Sequence, residues 1–335
     1  MKYLLSILAL AIIPISCERD VDTESISLTD IYGDFELIHT LDVDKTSIDF
    51  ERGEKPVFSA EFSKPEIWEL TITGETSGAQ KTITGFSKEL NEETAVWDGS
   101  TTKFPMFKAG ENCDVKLYVP SQDLTLNDGS VELTIKTTKT NEGVLITDFE
   151  NGNDYKDGWD WFFQSGVSFF NLKNKRKAPQ GSYYYKMFGE CNWDWLIGMI
   201  NIPSSAFEGE TFGLSEVANN LYFNVLLNVR KPSAKLLIRF REDDNNNGIF
   251  EEDFEDEYSL MIENVSPGWQ QFSVKYSDLT ALIDGNATAP NGNAIHNPDL
   301  LNIIDVLLLA DPETVGETRV DMDYMIFTEN EPLNP

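Results

Sequence analysis

"GWDWFFQSG" at 158 to 166 and "CNWDWLIG" at 191 to 198 each set an aspartate between two tryptophans. In an extended strand, residues two apart share a face, so Trp159 with Trp161, and Trp193 with Trp195, form same-side pairs flanking Asp160 and Asp194. Sugar rings present C–H patches that stack on flat aromatic faces, while their hydroxyls need planar acceptors beside the platform. A tryptophan pair with an aspartate supplies both. By analogy with base stacking, each ring contributes about 1–3 kcal/mol, so two or three rings give binding in the micromolar range. The alternative is a core, to which each buried indole would add a few kcal/mol of folding energy. Gly, Asp and Asn beside both pairs ("YKDGWDW", "GECNWDW") favour loops or strand ends at a rim. Tyr183, Tyr184 and Tyr185 divide between faces by alternation, and Tyr184 is taken as a further ring of the site.

A second stretch could hold a cation. "DDNNNGIFEEDFEDE" from 243 to 257 sets Asp243, Asn245 and Asn247 at alternate positions ahead of Gly248. Alternating oxygen ligands followed by a glycine, where the chain turns sharply, is how a calcium loop begins. The EF-hand spacing would put glutamate where Phe254 stands, so Glu252 and Asp253 are taken as the closing ligands of a hairpin version. A solvated acidic hairpin is the alternative. The same stretch nearly imitates a hydrolase. Glu251, Asp253 and Asp256 match the Glu-x-Asp-x-x-Glu spacing of laminarinase-type enzymes, whose paired carboxylates act as nucleophile and acid, but the last residue is aspartate. No Gly-x-Ser-x-Gly or His-Glu-x-x-His occurs, and the two histidines, His39 and His296, are far apart in sequence. No catalytic residues are expected.

These segments must be carried by strands. Between 34 and 140 lie "VFSAEF", "WELTITG", "DVKLYV" and "VELTIKT", in which apolar and polar residues alternate as in half-buried strands. After a linker-like "KTTKTNEG", a larger region from 143 to 330 continues with "NLYFNVLLNV", "SAKLLIRFRE", "YSLMIENV" and "LNIIDVLLLAD". No segment offers a long amphipathic helix. The chain therefore reads as all-β: an N-terminal sandwich of the immunoglobulin type followed by a larger β-jelly roll. Its 335 residues suit two such domains, and 41% apolar composition suffices for two cores. The formal charge of −31 repels phosphate backbones and anionic surfaces, which excludes nucleic acid as a partner and favours a neutral ligand or a cation such as Ca2+.

Residues 1–16, "MKYLLSILALAIIPIS", place one lysine before an apolar run too short to span a bilayer, as in an export signal. The run ends in "IPISC", which resembles the lipobox of bacterial lipoproteins and implies lipidation of Cys17. The acidic "ERDVDTES" that follows opens a tether from 17 to 33, similar to the surface-export signals of lipoproteins in glycan-scavenging Gram-negative bacteria. Cys113 and Cys191 are the remaining cysteines and are expected as buried free thiols.

"WELTITGETSGAQKTITGFS", "VWDG" and "FKAGENCDVKLYV" look like the Ig-like modules of bacterial surface proteins. "DFENG", "PGWQQFSVKYSDL" and "VDMDYMIF" look like galactose-binding-like jelly rolls of carbohydrate-binding modules. The whole layout resembles the surface glycan-binding lipoproteins of polysaccharide-utilisation systems. That resemblance implies a spacer at 34–140 and a carbohydrate-binding domain at 143–330. It also implies a lipid anchor in the outer membrane facing the exterior, a polysaccharide ligand and an outer-membrane glycan transporter complex as partner. Jelly rolls of this kind often clamp calcium between first and last strands, which makes Glu150 with Asp321 a second candidate. A neutral β-glucan or hemicellulose is the expected ligand. The alternatives are a jelly-roll glycoside hydrolase and a purely structural or adhesive surface protein.

Overall fold

The computed structural model describes residues 33–126, 131–150, 158–164, 168–174, 178–191, 196–231, 234–283, 286–310 and 316–335, with the backbone alone for 168–174 and 191. Cys17, Trp193, Asp194 and Trp195 lie outside the described residues. Everything below refers to the described part. The chain there is all-β, as its patterning predicts: strands and short 3-10 turns are its regular elements.

The first unit holds β1 (Leu37–Val43), β2 (Ser47–Asp49), β3 (Phe58–Gly74), β4 (Gln80–Leu90), β5 (Asn112–Val119), β6 (Leu124–Leu126) and β7 (Leu133–Thr137). They join into one sheet in the order β1-β3-β5-β7-β2, with β4 on β3 and β6 on β5. The expected sandwich is continuous because β3 is 17 residues long: β1 pairs with its first part, β5 with its last, and β4 lies along it. Every second residue of β3 is buried, the period-2 signature of a strand with one face on a core. Trp68, Trp97, Phe58 and Phe62 are fully enclosed there. Gly85 on β4 is needed for this packing, since a Cβ would fall 2.3 Å from Cζ2 of Trp68. Cys113 is a buried free thiol in the same core, and burial raises its pKa.

The second unit is two facing sheets. One contains β8 (Val144–Thr147), β10 (Ser168–Asn174), β11 (Tyr183–Cys191), β13 (Leu221–Val229), β16 (Trp269–Lys275) and β20 (Gly316–Glu329). It is ordered β10-β11-β20-β13-β16, with β8 beside β20. The other runs β15-β14-β19-β12-β9, built from β9 (Asp160–Phe163), β12 (Leu196–Pro203), β14 (Ala234–Glu242), β15 (Glu257–Ile262) and β19 (Leu301–Ala310). A small hairpin, β17 (Leu282–Ile283) with β18 (Asn286–Ala287), follows at the margin. Phe223, Val225, Leu227 and Phe327 of the six-stranded sheet pack with Leu236, Ile238, Phe240, Ile304 and Val306 of the five-stranded one. This is the interdigitated core of a sandwich.

The two outer faces differ. On the six-stranded sheet, Leu226, Tyr324 and Ile326 point outward yet are buried, because Met106 and Phe104 of the first unit and Leu333 of the tail pack on them. The first unit thus caps that face. The five-stranded sheet lies on the opposite side of the core.

Candidate functional site

Strand pairing lines up two rows across the outer face of the five-stranded sheet. One row is polar: Asp160 on β9 stands opposite Asn201 on β12, which faces Asp305 on β19, then Arg239 on β14 and Ser259 on β15. The other, two residues along, is apolar: Phe162, Met199, Leu307, Leu237 and Met261. Each row crosses five strands, four gaps of about 4.8 Å, or roughly 19 Å. Leu237, Leu307 and Leu309 are buried beneath the partly exposed Leu196, Met199, Met261 and Leu282, and at the β9 margin Phe162 is 44% exposed.

The polar row is held rigidly. The Asp305 carboxylate is wholly buried, accepts a hydrogen bond from Nδ2 of Asn201 at 2.7 Å and pairs with Nη1 of Arg241 at 3.1 Å. Burial raises its pKa, with Arg241 and Asn201 opposing that rise. Glu257 lies between two guanidiniums, 3.3 Å from Nε of Arg239 and 2.8 Å from Nε of Arg241. Arg241 also lies over the ring of Phe250 at 5.0 Å. Buried Ser259 Oγ has no hydrogen-bond partner among the described residues. Planar donors and acceptors fixed beside an apolar strip suit a ligand that carries hydroxyls on a ring with apolar faces.

Asp160 is the expected ligand residue that takes its place in this row, exposed beside Asn201. Two other expectations need correction. Trp159 is 6% exposed and belongs to the core, because alternation turns Trp159, Trp161 and Phe163 toward the facing sheet. Trp161 is half-buried against that core, 6.1 Å from Trp159, 5.6 Å from Tyr185 and 6.0 Å from Phe163, which is itself 41% exposed. Tyr184 also is buried, on the outer side of the six-stranded sheet, with its ring edge-on to Trp269 at 5.5 Å. Neither Trp159 nor Tyr184 can stack on a ligand.

The acidic hairpin is built differently from the expected calcium loop. The Asp243 carboxylate accepts from the backbone N–H of Asn247 at 3.0 Å and of Gly248 at 2.6 Å, closing the turn on itself. Asn245 and Asn247 donate their amides to Glu251, and Glu252 and Asp253 are exposed. Asp243 is buried at the base of this turn, whereas the closing pair, Glu252 and Asp253, faces solvent. Beside them, Glu242, Asp244 and Asp256 bring one carboxylate oxygen each within 4.8 Å of the others. Glu242 and Asp256 are fully buried. Backbone N–H groups of Gly292 and Ala294 donate to Asp256, and Tyr276 Oη and the Asn297 N–H donate to Glu242. Burial, with Asp244 and Asp256 adding to it, pushes Glu242 up to about 8. Glu251, Asp253 and Asp256 fall in a turn, not on the single strand that the hydrolase pattern requires. The Glu150–Asp321 pairing also fails as a cation clamp. Arg230 and Arg319 neutralise Asp321 at 2.9 and 2.8 Å, and Glu150 accepts from the N–H groups of Ser182 and Tyr183.

No protein-family model matches the chain, and no curated protein matches it. Among solved structures it is similar to the family 11 carbohydrate-binding module of a cellulosomal cellulase of Clostridium thermocellum, at 11% identity and TM-score 0.37, over 59% of this chain and 100% of that one. A family 30 module from the same organism is similar at 14% identity and TM-score 0.37, over 57% and 100% of the two chains. SGBP-B from a complex xyloglucan utilization locus in Bacteroides uniformis is similar at 11% identity and TM-score 0.35, over 84% and 72%.

Core and rim aromatics should respond oppositely to truncation. Trp159→Ala is expected to lower unfolding free energy by about 3–5 kcal/mol, from lost transfer energy plus the cavity. Phe162→Ala should cost less than about 1 kcal/mol. Denaturant unfolding of both variants measures the difference, and equal losses would contradict the assignment.

Proposed function

We propose that this chain is a non-catalytic glycan-binding protein that takes a neutral polysaccharide on the outer face of its five-stranded sheet. The observation that carries the proposal is the pairing of a fixed polar row from Asp160 to Ser259 with an adjacent apolar row ending in exposed Phe162. Hydroxyls would meet carboxylate, carboxamide and guanidinium groups while ring C–H faces meet Phe162 and Met199. The two arginines are matched by Asp305 and Glu257, so the row offers no surplus positive charge for an anionic polymer. Retained polysaccharide would then pass to an outer-membrane glycan transporter.

Native gels containing a neutral β-glucan or hemicellulose should retard the chain without release of reducing ends. Phe162→Ala and Asp160→Ala should each weaken retention roughly tenfold, about 1.4 kcal/mol, with unchanged melting. Retention indifferent to both variants would place the ligand elsewhere. Reducing ends produced by the wild type would favour a hydrolase.

Two further proposals accompany it. The oxygen-only set of Glu242, Asp244 and Asp256 suits a hard cation, and we take Ca2+ as its structural occupant. Saturating calcium at a hundred times its dissociation constant should stabilise the chain by about 2.7 kcal/mol, and chelator should remove that gain. A melting curve indifferent to both would end the calcium proposal and leave glycan binding intact. From the "IPISC" sequence we take Cys17 as the lipidated residue of an outer-membrane, outward-facing lipoprotein. Cys17→Ala should then release the chain from the membrane fraction, whereas unchanged surface retention would contradict the anchor.

A further inference from the structure

The five-stranded face ends differently at its two sides. On one side it runs out at β9, the last strand of the sheet, with Phe162 exposed. On the other, Ser259 N–H donates to the carbonyl of Thr280 at 2.8 Å, so the chain leaving Leu279 lies along the edge of β15. It then rises over the face. Leu282 packs on the apolar row, and β17 with residues 288–291 walls a cavity of about 240 Å3. Its lining includes Arg239 and Glu257 from the sheet, with Leu282, Ile283, Thr288 and Asn291 from the wall. Arg239 stands on β14, one strand in from the β15 edge, as the fourth of the five members of the polar row. The cavity is therefore the walled end of the ligand face.

We infer that this cavity is a terminal-sugar pocket: the protein grips a glycan by the last neutral residue of a chain or branch. The inference deepens the glycan proposal and depends on it. Three features support it. The cavity is smaller than the roughly 300–1,000 Å3 typical of drug-sized ligand sites, which suits one monosaccharide. The Arg239 guanidinium and the Glu257 carboxylate, 3.3 Å apart and each about a quarter exposed (26% and 21%), set a donor beside an acceptor. Adjacent hydroxyls on one sugar ring match that pair, one accepting from the guanidinium and the other donating to the carboxylate. Glu252 and Glu257 both line the cavity against one arginine, so a sugar carboxylate or sulfate would meet net negative charge. The wall of Leu282, Ile283 and residues 288–291 stops the polymer from continuing past this end.

The test uses the full chain, titrated by calorimetry with an unbranched neutral β-glucan series from short oligomers to polymer, and with a branched neutral hemicellulose. Terminal recognition predicts about one protein bound per unbranched chain at every length, and more per chain as branch tips increase. Binding that rises in proportion to unbranched length means internal segments are bound and overturns the inference. Ala289→Trp, at an exposed lining position, should fill the pocket and weaken oligomer binding roughly tenfold or more without lowering the melting temperature. Thr288→Trp fills it from the adjacent position and serves if the first variant folds poorly. Unchanged affinity in a folded filling variant overturns the pocket alone. A wild-type chain that retains no neutral glycan overturns the parent proposal as well.

Discussion

The carboxamide of Asn224 decides which side of this molecule is left to meet a ligand. It is wholly buried, and its nitrogen donates to the carbonyls of Tyr222 and Ile326 and to Thr328 Oγ1. Its oxygen accepts from Ser273 Oγ and from the N–H of Leu333. Leaving such a group unpaired costs about 1–3 kcal/mol, so the tail is fixed where it can complete the set. Once Leu333 is seated, the tail continues to the first unit. Lys139 Nζ donates to the Asn334 carbonyl at 2.7 Å, and the Thr101 N–H donates to that of Pro335. Met106 then closes over Leu226 and Tyr324. One outer face of the sandwich becomes an internal interface.

That asymmetry explains how one sandwich carries polar chemistry on one side and packing on the other. Where the first unit docks, the strands present leucine, isoleucine and tyrosine outward. On the five-stranded sheet, outward positions of equally apolar strands hold Asn201, Asp305, Arg239 and Arg241. Removing one member of a buried ion pair typically costs about 3–5 kcal/mol, so Asp305 and Arg241 keep each other in place. The cost of ordering these groups is met in folding, and a ligand finds Asn201, Arg239 and Arg241 already aligned above the buried Asp305.

Much of this was legible in the sequence, for identifiable reasons. Period-2 alternation marks the strands, and the linker-like "KTTKTNEG" stands just before β8. The first tryptophan pair misleads because pairing on one face says nothing about which face. Only the partners of β9 show that Trp159 and Trp161 turn inward and that Asp160 and Phe162 turn outward. A usable signal is present in "LIGMINIP", "SAKLLIRFRE" and "LNIIDVLLLAD", where Asn201, Arg239 and Asp305 interrupt apolar runs. Their alignment into one row depends on register, which no single segment reveals. The acidic hairpin misled in a related way. Asp243 closes its own turn, and a second set of gathered carboxylates comes from Glu242, Asp244 and Asp256, brought together by tertiary folding.

The central claim is that ligand meets the outer face of the five-stranded sheet. Amide hydrogen exchange of the full chain, with and without a neutral β-glucan oligomer, tests it most directly. The account predicts slowed exchange in β9, β12 and the 281–291 segment, with β13, β16 and the first unit unchanged. Protection confined to the first unit or to the interface around Trp269, with β9 and β12 unaffected, would contradict it.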